Sequence, residues 1–230
     1  MTDANTVRAH AEPIITVTNL VKQFGRFAAL RGVNASFDAG RFYAILGDNG
    51  AGKTTMLRVL AGLVRPTRGE VSILGDSKPR KACREFGYMA HPSLLYDEMS
   101  GMENLRYFGQ LYGIADDARC SASITAVGLD PALDRQVGQY SQGMRQRMSL
   151  ARALLHDPKI LLLDEPFSNV DIHSAREMVK LLTGMRDGGK TILVVTHQAS
   201  LLDGAADEFV WMQTGQIINR TPDRTFMETA

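Results

Sequence analysis

The stretch from Gly47 to Thr55 reads GDNGAGKTT, and it constrains the fold more than any other part of the chain. It matches the pattern G-x-x-x-x-G-K-[ST] and lies between a strand-like apolar run, FYAILG, and a run with helical spacing, AGKTTMLRVLAGL. Glycines let the backbone wrap a phosphate closely, and the N-terminus of the following helix favours negative charge. The order of strand, glycine-rich turn and helix therefore predicts a βα unit that holds the phosphates of a nucleotide.

Two side chains in this loop suit nucleotide chemistry. Lys53 can bridge the β- and γ-phosphates, and the Thr54 hydroxyl can ligate Mg²⁺ as a hard oxygen donor. A plain glycine-rich turn is the alternative, and the flanking strand and helix count against it. The predicted nucleotide-binding residues of the loop are Gly47, Asp48, Asn49, Gly50, Ala51, Gly52, Lys53, Thr54 and Thr55.

The overall composition does not indicate a function, so functional chemistry must be sought in local motifs. The chain has 230 residues and 44% hydrophobic content, which suits a globular protein of one large domain or two small ones. Its formal net charge of +1 gives no reason to expect nucleic acid as a partner. Cys83 and Cys120 lie outside any metal-ligand or Cys-x-x-Cys spacing, which fits a reducing cytosol.

The chain also lacks membrane signals. No apolar stretch approaches the roughly 18 residues that a membrane-spanning helix needs. The start, MTDANTVRAHAE, has no apolar core of the kind that signal peptides carry. We therefore expect no direct membrane insertion, so that any membrane role would come through a partner.

Short patterned runs predict much of the remaining structure. IITVTNLV and VSILG are typical of strands, and EFVWMQTGQIIN is typical of a hairpin around Thr214 and Gly215. The stretch at 99–155 is expected to be mainly helical, and Ser100 with Glu103 has the form of a capping box. Two apolar helical faces are predicted, one formed by Met56, Leu57, Leu60 and Leu63, the other by Leu105, Phe108, Leu111 and Tyr112.

Two continuous apolar runs, ILLLDEP and TILVVTH, end in polar residues. Such runs suit strands buried on both faces of a parallel sheet, which bind ligands at their carboxyl ends. There Asp164 can hold Mg²⁺ through a water, Glu165 can act as base towards the attacking water, and His197 can hold that water and the γ-phosphate. The alternatives are a polar approach to a helix for the carboxylates and a structural role for the histidine. The phosphate loop elsewhere in the chain favours a catalytic site at these strand ends over the two alternatives.

These motifs, in this order, resemble the ATP-binding cassette (ABC) family over residues 14–219. GDNGAGKTT matches the Walker A motif, ILLLDEP the Walker B motif, and SNVD the D-loop, while His197 falls at the switch histidine. YSQGM falls where the family carries its signature sequence, usually LSGGQ. Phe24 matches the aromatic position that stacks on adenine, and burial of a strand-end Phe in the core is the alternative.

The signature residues that would touch a γ-phosphate are retained. Ser141 supplies a hydroxyl and caps its helix, and Gly143 leaves the backbone room near the phosphate. Gln142 and Met144 replace the first glycine and the final glutamine of the usual motif. The resemblance therefore adds Ser141 and Gly143 to the expected ATP-binding residues.

The resemblance implies an α/β fold: a P-loop NTPase core with a mostly parallel sheet, an antiparallel β subdomain and an inserted helical subdomain. The expected boundaries are a polar tail at 1–12, the ATPase domain at 13–222, the helical subdomain at about 97–155, and a polar tail at 223–230. Two subunits, as a homodimer or a heterodimer, would associate head to tail and hold each ATP and Mg²⁺ between the Walker motifs of one and the signature of the other. An integral membrane subunit would receive the motion at the cytoplasmic face of the membrane.

His91, in FGYMAHPS, departs from the family pattern, because a glutamine that touches Mg²⁺ and the attacking water usually stands there. Magnesium prefers oxygen ligands, so we predict a water-mediated contact or none, and a position that tolerates substitution. The following segment, which includes Leu95 and Tyr96, is expected to meet the membrane partner, with a solvated loop as the alternative.

The stretch HPSLLYDEMSGMENLRYFGQLYG, the variant signature and His91 are similar to short export-type subunits. The ATPase subunits of the haem exporter used in cytochrome c maturation are the nearest likeness, followed by drug and polysaccharide exporters.

A soluble ABC ATPase acting on DNA or the ribosome is a second class of possible function. Its DNA-repair members carry a long coiled coil between the Walker A motif and the signature, whereas only about ninety residues separate Lys53 from Ser141 here. Its translation members usually carry two cassettes in one chain, and this chain has one. Both features count against this class. A P-loop kinase or GTPase is a third class, and the chain has no N-K-x-D guanine motif.

Overall fold

The described residues form two β-sheets that meet around the phosphate loop. The computed structural model describes residues 13–77, 82–114 and 116–224, so the predicted tail at 1–12 and most of the predicted tail at 223–230 lie outside the described residues. The strands are β1 (Pro13–Phe24), β2 (Phe27–Asp38), β3 (Phe42–Leu46), β4 (Arg68–Ile73), β5 (Phe86–Met89), β6 (Ile160–Asp164), β7 (Thr191–Val195), β8 (Glu208–Gln213) and β9 (Gln216–Thr221). The helices are α1 (Lys53–Leu60), α2 (Gly101–Tyr112), α3 (Asp117–Ala126), α4 (Gln142–Leu154) and α5 (Ile172–Asp187).

The larger sheet has the order β5-β6-β7-β3-β8-β9 and is parallel except for β9, which pairs antiparallel with β8. Strands β3, β6 and β7 are buried along their whole length, as their apolar runs predict. In the register of these strands, Val195 pairs with Ile45 on one side and with Asp164 on the other. The carboxyl ends of β3, β6 and β7 therefore lie side by side at one edge of the sheet. The phosphate loop, Glu165 and His197 follow these three strand ends and are brought together there.

Strand β3 shows how the core is divided. Phe42, Ala44 and Leu46 pack into one apolar cluster, which also contains residues of α4 and α5. Tyr43 and Ile45 pack into a second cluster, with α1 and the smaller sheet. Because successive side chains of a strand point to opposite faces, this alternation shows that the central sheet is covered on both sides.

The smaller sheet is antiparallel, with the order β2-β1-β4. The predicted hairpin at the end of the chain is confirmed: Thr214 and Gly215 both have positive φ, at 47° and 82°, as a tight hairpin turn requires. Together the two sheets and their helices form the predicted α/β architecture.

Helices α2, α3 and α4 follow β5 in the chain and precede β6, pack on one another, and meet the sheet where α4 contacts β5. The predicted capping box is confirmed, because Ser100 Oγ accepts from the Glu103 N–H at 3.3 Å and the Glu103 carboxylate accepts from the Ser100 N–H at 2.7 Å. That the stretch at about 97–155 forms a separate subdomain stays a prediction.

Two predicted apolar faces were partly wrong. Helix α1 ends at Leu60, before Gly62 with φ 71°, so Leu63 lies beyond the helix and is 59% exposed. In α2, Leu111 and Tyr112 are 67% and 44% exposed, because α2 is buried through its earlier turns and its last turn borders a groove.

Candidate nucleotide-binding site

Two glycines of the phosphate loop lie where any side chain would collide with the backbone. Gly47 has φ 139°, and a Cβ there would lie 2.0 Å from the Met212 carbonyl oxygen. Gly52 has φ 99°, and its Cβ would lie 2.5 Å from the Ala29 carbonyl oxygen. The loop is thus seated tightly between β8 and β2, and only glycine fits at these two points.

Lys53 folds back over the loop. Its Nζ donates to the carbonyl oxygens of Gly47 at 2.6 Å and Asp48 at 2.9 Å. The side chain is 6% exposed, and this burial lowers the pKa of Lys53, opposed by the nearby carboxylates of Glu165, Asp48 and Asp164. Phosphate oxygens are stronger acceptors than carbonyl oxygens, so a bound nucleotide can replace these contacts.

The N-terminus of α1 has no side-chain cap and no acidic residue in its first turn. The other four helices within the described residues are each capped by a side chain, from Ser100, Asp116, Ser141 and Asp171. An uncapped helix N-terminus leaves backbone N–H donors and partial positive charge for an anion. The first turn of α1, at Lys53, is therefore suited to a phosphate.

Thr54 and Asp164 bring two oxygen ligands together from α1 and β6. Thr54 Oγ1 donates to Asp164 Oδ1 at 2.9 Å, and Asp164 is 1% exposed. Burial raises the pKa of Asp164, while the Thr54 hydrogen bond and the charge of Arg58 lower it. Within residues 13–77, 82–114 and 116–224, no cluster of three or more His, Cys, Asp or Glu could hold a metal. The pair fits Mg²⁺, which uses few protein oxygens and completes its shell with phosphates and water.

Glu165 and His197 face each other at neighbouring strand ends. His197 Nε2 lies 3.3 Å from Glu165 Oε1. Glu165 has φ 53°, which is uncommon for a residue other than glycine, and its N–H donates to the Val195 carbonyl at 2.9 Å. Burial raises the pKa of Glu165, and the charge of His197 lowers it. A carboxyl group held in this way can accept a proton from a water molecule.

These groups line one cavity of about 640 Å³. The predicted site residues in its wall are Asn49, Gly50, Ala51, Gly52, Lys53, Thr54, Thr55, Asp164, Glu165 and His197. Gly47 and Asp48 instead line an adjoining cavity of about 310 Å³, which also reaches His197. His91 lies in the wall of the larger cavity, and its charge lowers the pKa of Asp164, so it is close to the expected metal position.

The sequence prediction missed five residues of this wall: Phe27, Ala29, Arg58, Pro92 and Ser168. Arg58 follows Thr54 by one helical turn, so the spacing could have placed both on one face of α1. Ser168 opens the D-loop match SNVD, and that match is the signal that could have placed it in the site. No motif marked Phe27, whose place in the wall depends on how the β1–β2 hairpin folds.

Phe24 is not in the cavity wall. It is 50% exposed, and the Lys22 ammonium lies 4.7 Å from its ring centroid. The alternative of a core Phe is therefore wrong. Phe24 pairs with Phe27 across the hairpin, and Phe27 lines the cavity. Adenine stacking on Phe24 stays a prediction.

Ser141 and Gly143 also lie outside the cavity wall. Ser141 is confirmed as the N-cap of α4, since its Oγ accepts from the Met144 N–H at 3.2 Å. A Cβ on Gly143 would lie 3.2 Å from Ser174 of α5. Close packing of α4 against α5 is therefore a second reason for a glycine at this position. Among the described residues, Ser141 and Gly143 line neither of the two cavities that the phosphate loop borders.

The amino-acid sequence matches the ABC transporter family over residues 30–168, a span that contains the phosphate loop, the signature and Glu165. The chain belongs to the ABC transporter family. This ABC subunit is 35% identical to the ABC transporter ATP-binding protein NatA of Bacillus subtilis, over 90% of its own length and 89% of the relative. It is 31% identical to the lantibiotic transport ATP-binding protein SrtF of Streptococcus pyogenes, over 89% of each chain. It is 40% identical to the sulfate/thiosulfate import ATP-binding protein CysA of Bradyrhizobium diazoefficiens, over 88% of its own length and 62% of the relative.

Solved structures confirm the predicted fold. A dimeric ATP-binding cassette in a post-hydrolysis state, bound to ADP and Pi, matches with a TM-score of 0.82 and 25% identity, over 91% of this chain and 99% of the other. The ATP-binding subunit of an ABC transporter matches with a TM-score of 0.80 and 27% identity, over 91% and 90% of the two chains. The ABC subunit is thus an ATPase coupled to transport. Among its described helices, none has the length and apolar character to span a bilayer.

Proposed function

We propose that this ABC subunit drives export through a separate integral membrane subunit by ATP-dependent head-to-tail dimerisation. The observation that carries the proposal is that Ser141 lies outside the cavity that contains Lys53. A γ-phosphate bound to the loop needs further hydrogen-bond donors if two subunits are to close tightly around it. The proposed source of these donors is the N-terminus of α4. A second ATPase subunit, either another copy or a different chain, supplies that N-terminus.

Each ATP site has a division of roles in this proposal. Residues 47–55 bind the phosphates, and Phe24 stacks on the adenine. Thr54 would hold Mg²⁺ directly and Asp164 would hold it through a water, and the bound ion would neutralise phosphate charge. Glu165 takes a proton from the attacking water, and His197 holds that water in place.

The variant Glu165→Gln tests the dimer mechanism. It keeps the shape of the side chain but removes the base, so hydrolysis should fall by at least about 100-fold while ATP binding persists. With saturating ATP and Mg²⁺, and with the membrane subunit present in detergent, size-exclusion chromatography should show paired ATPase subunits. The matched control combines Lys53→Ala with Glu165→Gln, and its ATPase subunits should stay unpaired. Equal pairing in ATP and ADP would count against the proposal.

The membrane partner is proposed to dock at the cytoplasmic face, on the segment after His91 that leads into the helical subdomain at about 97–155 of an ATPase domain at 13–222. Tyr96 offers a sharp test within this segment, because it is 42% exposed whereas Leu95 packs against the core. Tyr96→Asp should abolish transport and leave the ATPase activity of the isolated subunit unchanged. Equal loss of both activities would refute docking at this point.

Haem export for cytochrome c biogenesis is the proposed substrate assignment, with export of drugs or polysaccharides as the alternative. Its support is the likeness of the stretch after His91 and of the variant signature to such subunits. Deleting the gene should abolish haem-stained c-type cytochromes, and restoring the wild-type chain, but not Glu165→Gln, should bring them back. Normal cytochromes with raised sensitivity to drugs would favour the alternative. A deletion strain without any transport defect would favour a soluble ABC ATPase outside transport.

A further inference from the structure

Two side chains in the wall of the larger nucleotide cavity come from the smaller sheet. They are Phe27 and Ala29, both on β2. Because they are two residues apart, they share one face of the strand. Phe27 is 59% exposed, so much of its ring is free to contact a ligand in the cavity. The aromatic ring thus borders the same space as the phosphate loop.

Gly215, in the turn of the β8–β9 hairpin, joins β2 to the phosphate loop. The Arg31 N–H on β2 donates to the Gly215 carbonyl at 2.8 Å, and the Gly215 N–H donates to the Ala51 carbonyl at 3.0 Å. The Ala29 carbonyl oxygen lies at the same junction, since a Cβ would come within 2.5 Å of it from Gly52 and within 2.8 Å from Gly215. Backbone contacts therefore fix the position of β2 beside the loop.

The place of Phe27 along β2 suits the base of a nucleotide whose phosphates bind the loop. Strand β2 meets the loop at Ala29. A strand advances about 3.4 Å per residue, so Phe27 lies about 7 Å away along the strand. The ribose of a nucleotide separates its base from its phosphates by a comparable length. The ring therefore stands where the base of a loop-bound nucleotide is expected.

The other ring of the β1–β2 hairpin, Phe24, has one face covered. The Lys22 ammonium lies 4.7 Å from its ring centroid, within the range of cation–π attraction. A base that stacks on Phe24 must use the opposite face of the ring or displace Lys22. Phe24 and Phe27 pair directly across the hairpin, so their Cβ atoms lie about 5 Å apart on one face of it. A base held at Phe24 is therefore also close to Phe27.

We propose that Phe27 is a base-contact residue of the ATP site, in addition to Phe24. The inference rests on the proposed function, because it adds a second ring to the base that Phe24 is proposed to hold. Stacking uses only the flat face of a base, which every nucleotide has. Ala29, the neighbour of Phe27 in the wall, has no side-chain donor or acceptor with which to read the edge of a base. Phe27 thus contributes to affinity through stacking.

ADP and inorganic pyrophosphate, each with Mg²⁺, separate the base contact from the phosphate contacts. Pyrophosphate carries two phosphates without a nucleoside, and neither ligand has a γ-phosphate for the ATPase to remove. Phe27→Leu keeps an apolar side chain without a flat ring. In isothermal titration calorimetry on the full chain, it should weaken ADP binding about tenfold and change pyrophosphate binding less than about twofold. Unchanged ADP affinity would overturn the inference, and so would equal losses for the two ligands, which would show a structural role.

A second variant tests for the ring itself. Phe27→Trp restores a flat face, so it should bind ADP at least as tightly as the wild type, and ADP but not pyrophosphate should quench the added fluorescence. A loss of ADP affinity as large as that of Phe27→Leu would overturn the inference. The matched control is Leu74→Ala, which should leave ADP affinity unchanged. Leu74 follows β4 of the same sheet, is 42% exposed and lines neither cavity at the loop.

Phe24→Ala, measured in the same way, tests the proposed function separately. An unchanged ADP affinity in this variant would refute the stacking assigned to Phe24 and leave the Phe27 contact standing. Weaker ADP binding in Phe24→Ala, with none in Phe27→Leu, would overturn the inference and leave the proposed function intact. The two failures are therefore distinguishable.

Discussion

Arg145, in the first turn of the signature helix α4, forms an ion pair with Asp97, in the segment after His91. Arg145 Nη2 also donates to the Val137 carbonyl at 3.3 Å, and the Gly138 N–H donates to the Asp97 carbonyl at 2.9 Å. The surface proposed for the membrane partner is therefore joined to the helix proposed to meet the second ATP site.

Breaking this pair should uncouple the two surfaces. Asp97 is 53% exposed, so Asp97→Asn should cost at most about 1 kcal/mol of folding free energy. We expect unchanged ATPase activity in the isolated chain and at least about fivefold less stimulation by the membrane subunit. Arg145→Asp alone should behave similarly, and Asp97→Arg combined with Arg145→Asp should restore stimulation. If the combined variant is no better than either single one, the pair does not transmit the signal.

Ser141→Ala should weaken ATP-dependent pairing more than folding. Loss of an N-cap costs about 1 kcal/mol. Loss of a hydroxyl that also touches a γ-phosphate should raise the ATP concentration for half-maximal pairing about tenfold. Ser100→Ala is the matched control, because Ser100 caps α2 with the same geometry but has no proposed nucleotide contact. Equal shifts in the two variants, measured by light scattering over an ATP titration, would mean that Ser141 only caps its helix.

His91 should tolerate replacement even though it lies in the cavity wall. Because magnesium prefers oxygen, His91→Ala is expected to keep ATPase activity within about tenfold of the wild type. Glu165→Gln, measured in the same assay, sets the level expected for loss of a catalytic group. Losses of similar size in the two variants would show that His91 takes part directly.

Gly47 should be far less tolerant than Gly50, although both have positive φ. A Cβ at Gly47 would lie 2.0 Å from the Met212 carbonyl oxygen, whereas one at Gly50 would meet nothing within 4 Å. Gly47→Ala should therefore lower the free energy of unfolding by about 3 kcal/mol or more, and Gly50→Ala by only about 1 kcal/mol. Urea denaturation of the two variants measures the difference, and equal losses would mean that the loop can move away from β8.

Local patterns predicted the parts of this fold that depend on neighbouring residues. The phosphate loop, the buried runs of β6 and β7, and the caps at Ser100 and Ser141 are each specified by a few adjacent side chains. Strand β2 was missed because its apolar residues do not alternate regularly, and β5 because it has only four residues. Strand β5 is held in place by pairing with β6, which is distant in sequence, whereas β2 pairs with its neighbour β1.

Helical periodicity also failed at the last turn of α2, where part of the predicted apolar face is exposed. The spacing of Leu111 and Tyr112 shows that they share a side of α2 with Leu105, but it cannot show how far along the helix the neighbouring helices extend. In the structure the Tyr112 ring lies 4.7 Å from the His156 ring, yet Leu111 and Tyr112 are 67% and 44% exposed and border a groove that α3, α4 and β5 also line. Phe27 lies beside the phosphate loop for a similar reason, since its position depends on how distant segments of the chain pack together.

The separation of Ser141 from the Lys53 cavity has a genetic consequence. In the proposed pair of identical copies, each ATP site takes its phosphate loop from one chain and its signature from the other. A Lys53→Ala chain and a Ser141→Ala chain would each form pairs with two damaged sites. A mixed pair would concentrate both defects in one site and leave the other intact, so two alleles that each fail alone should complement each other in the same cell.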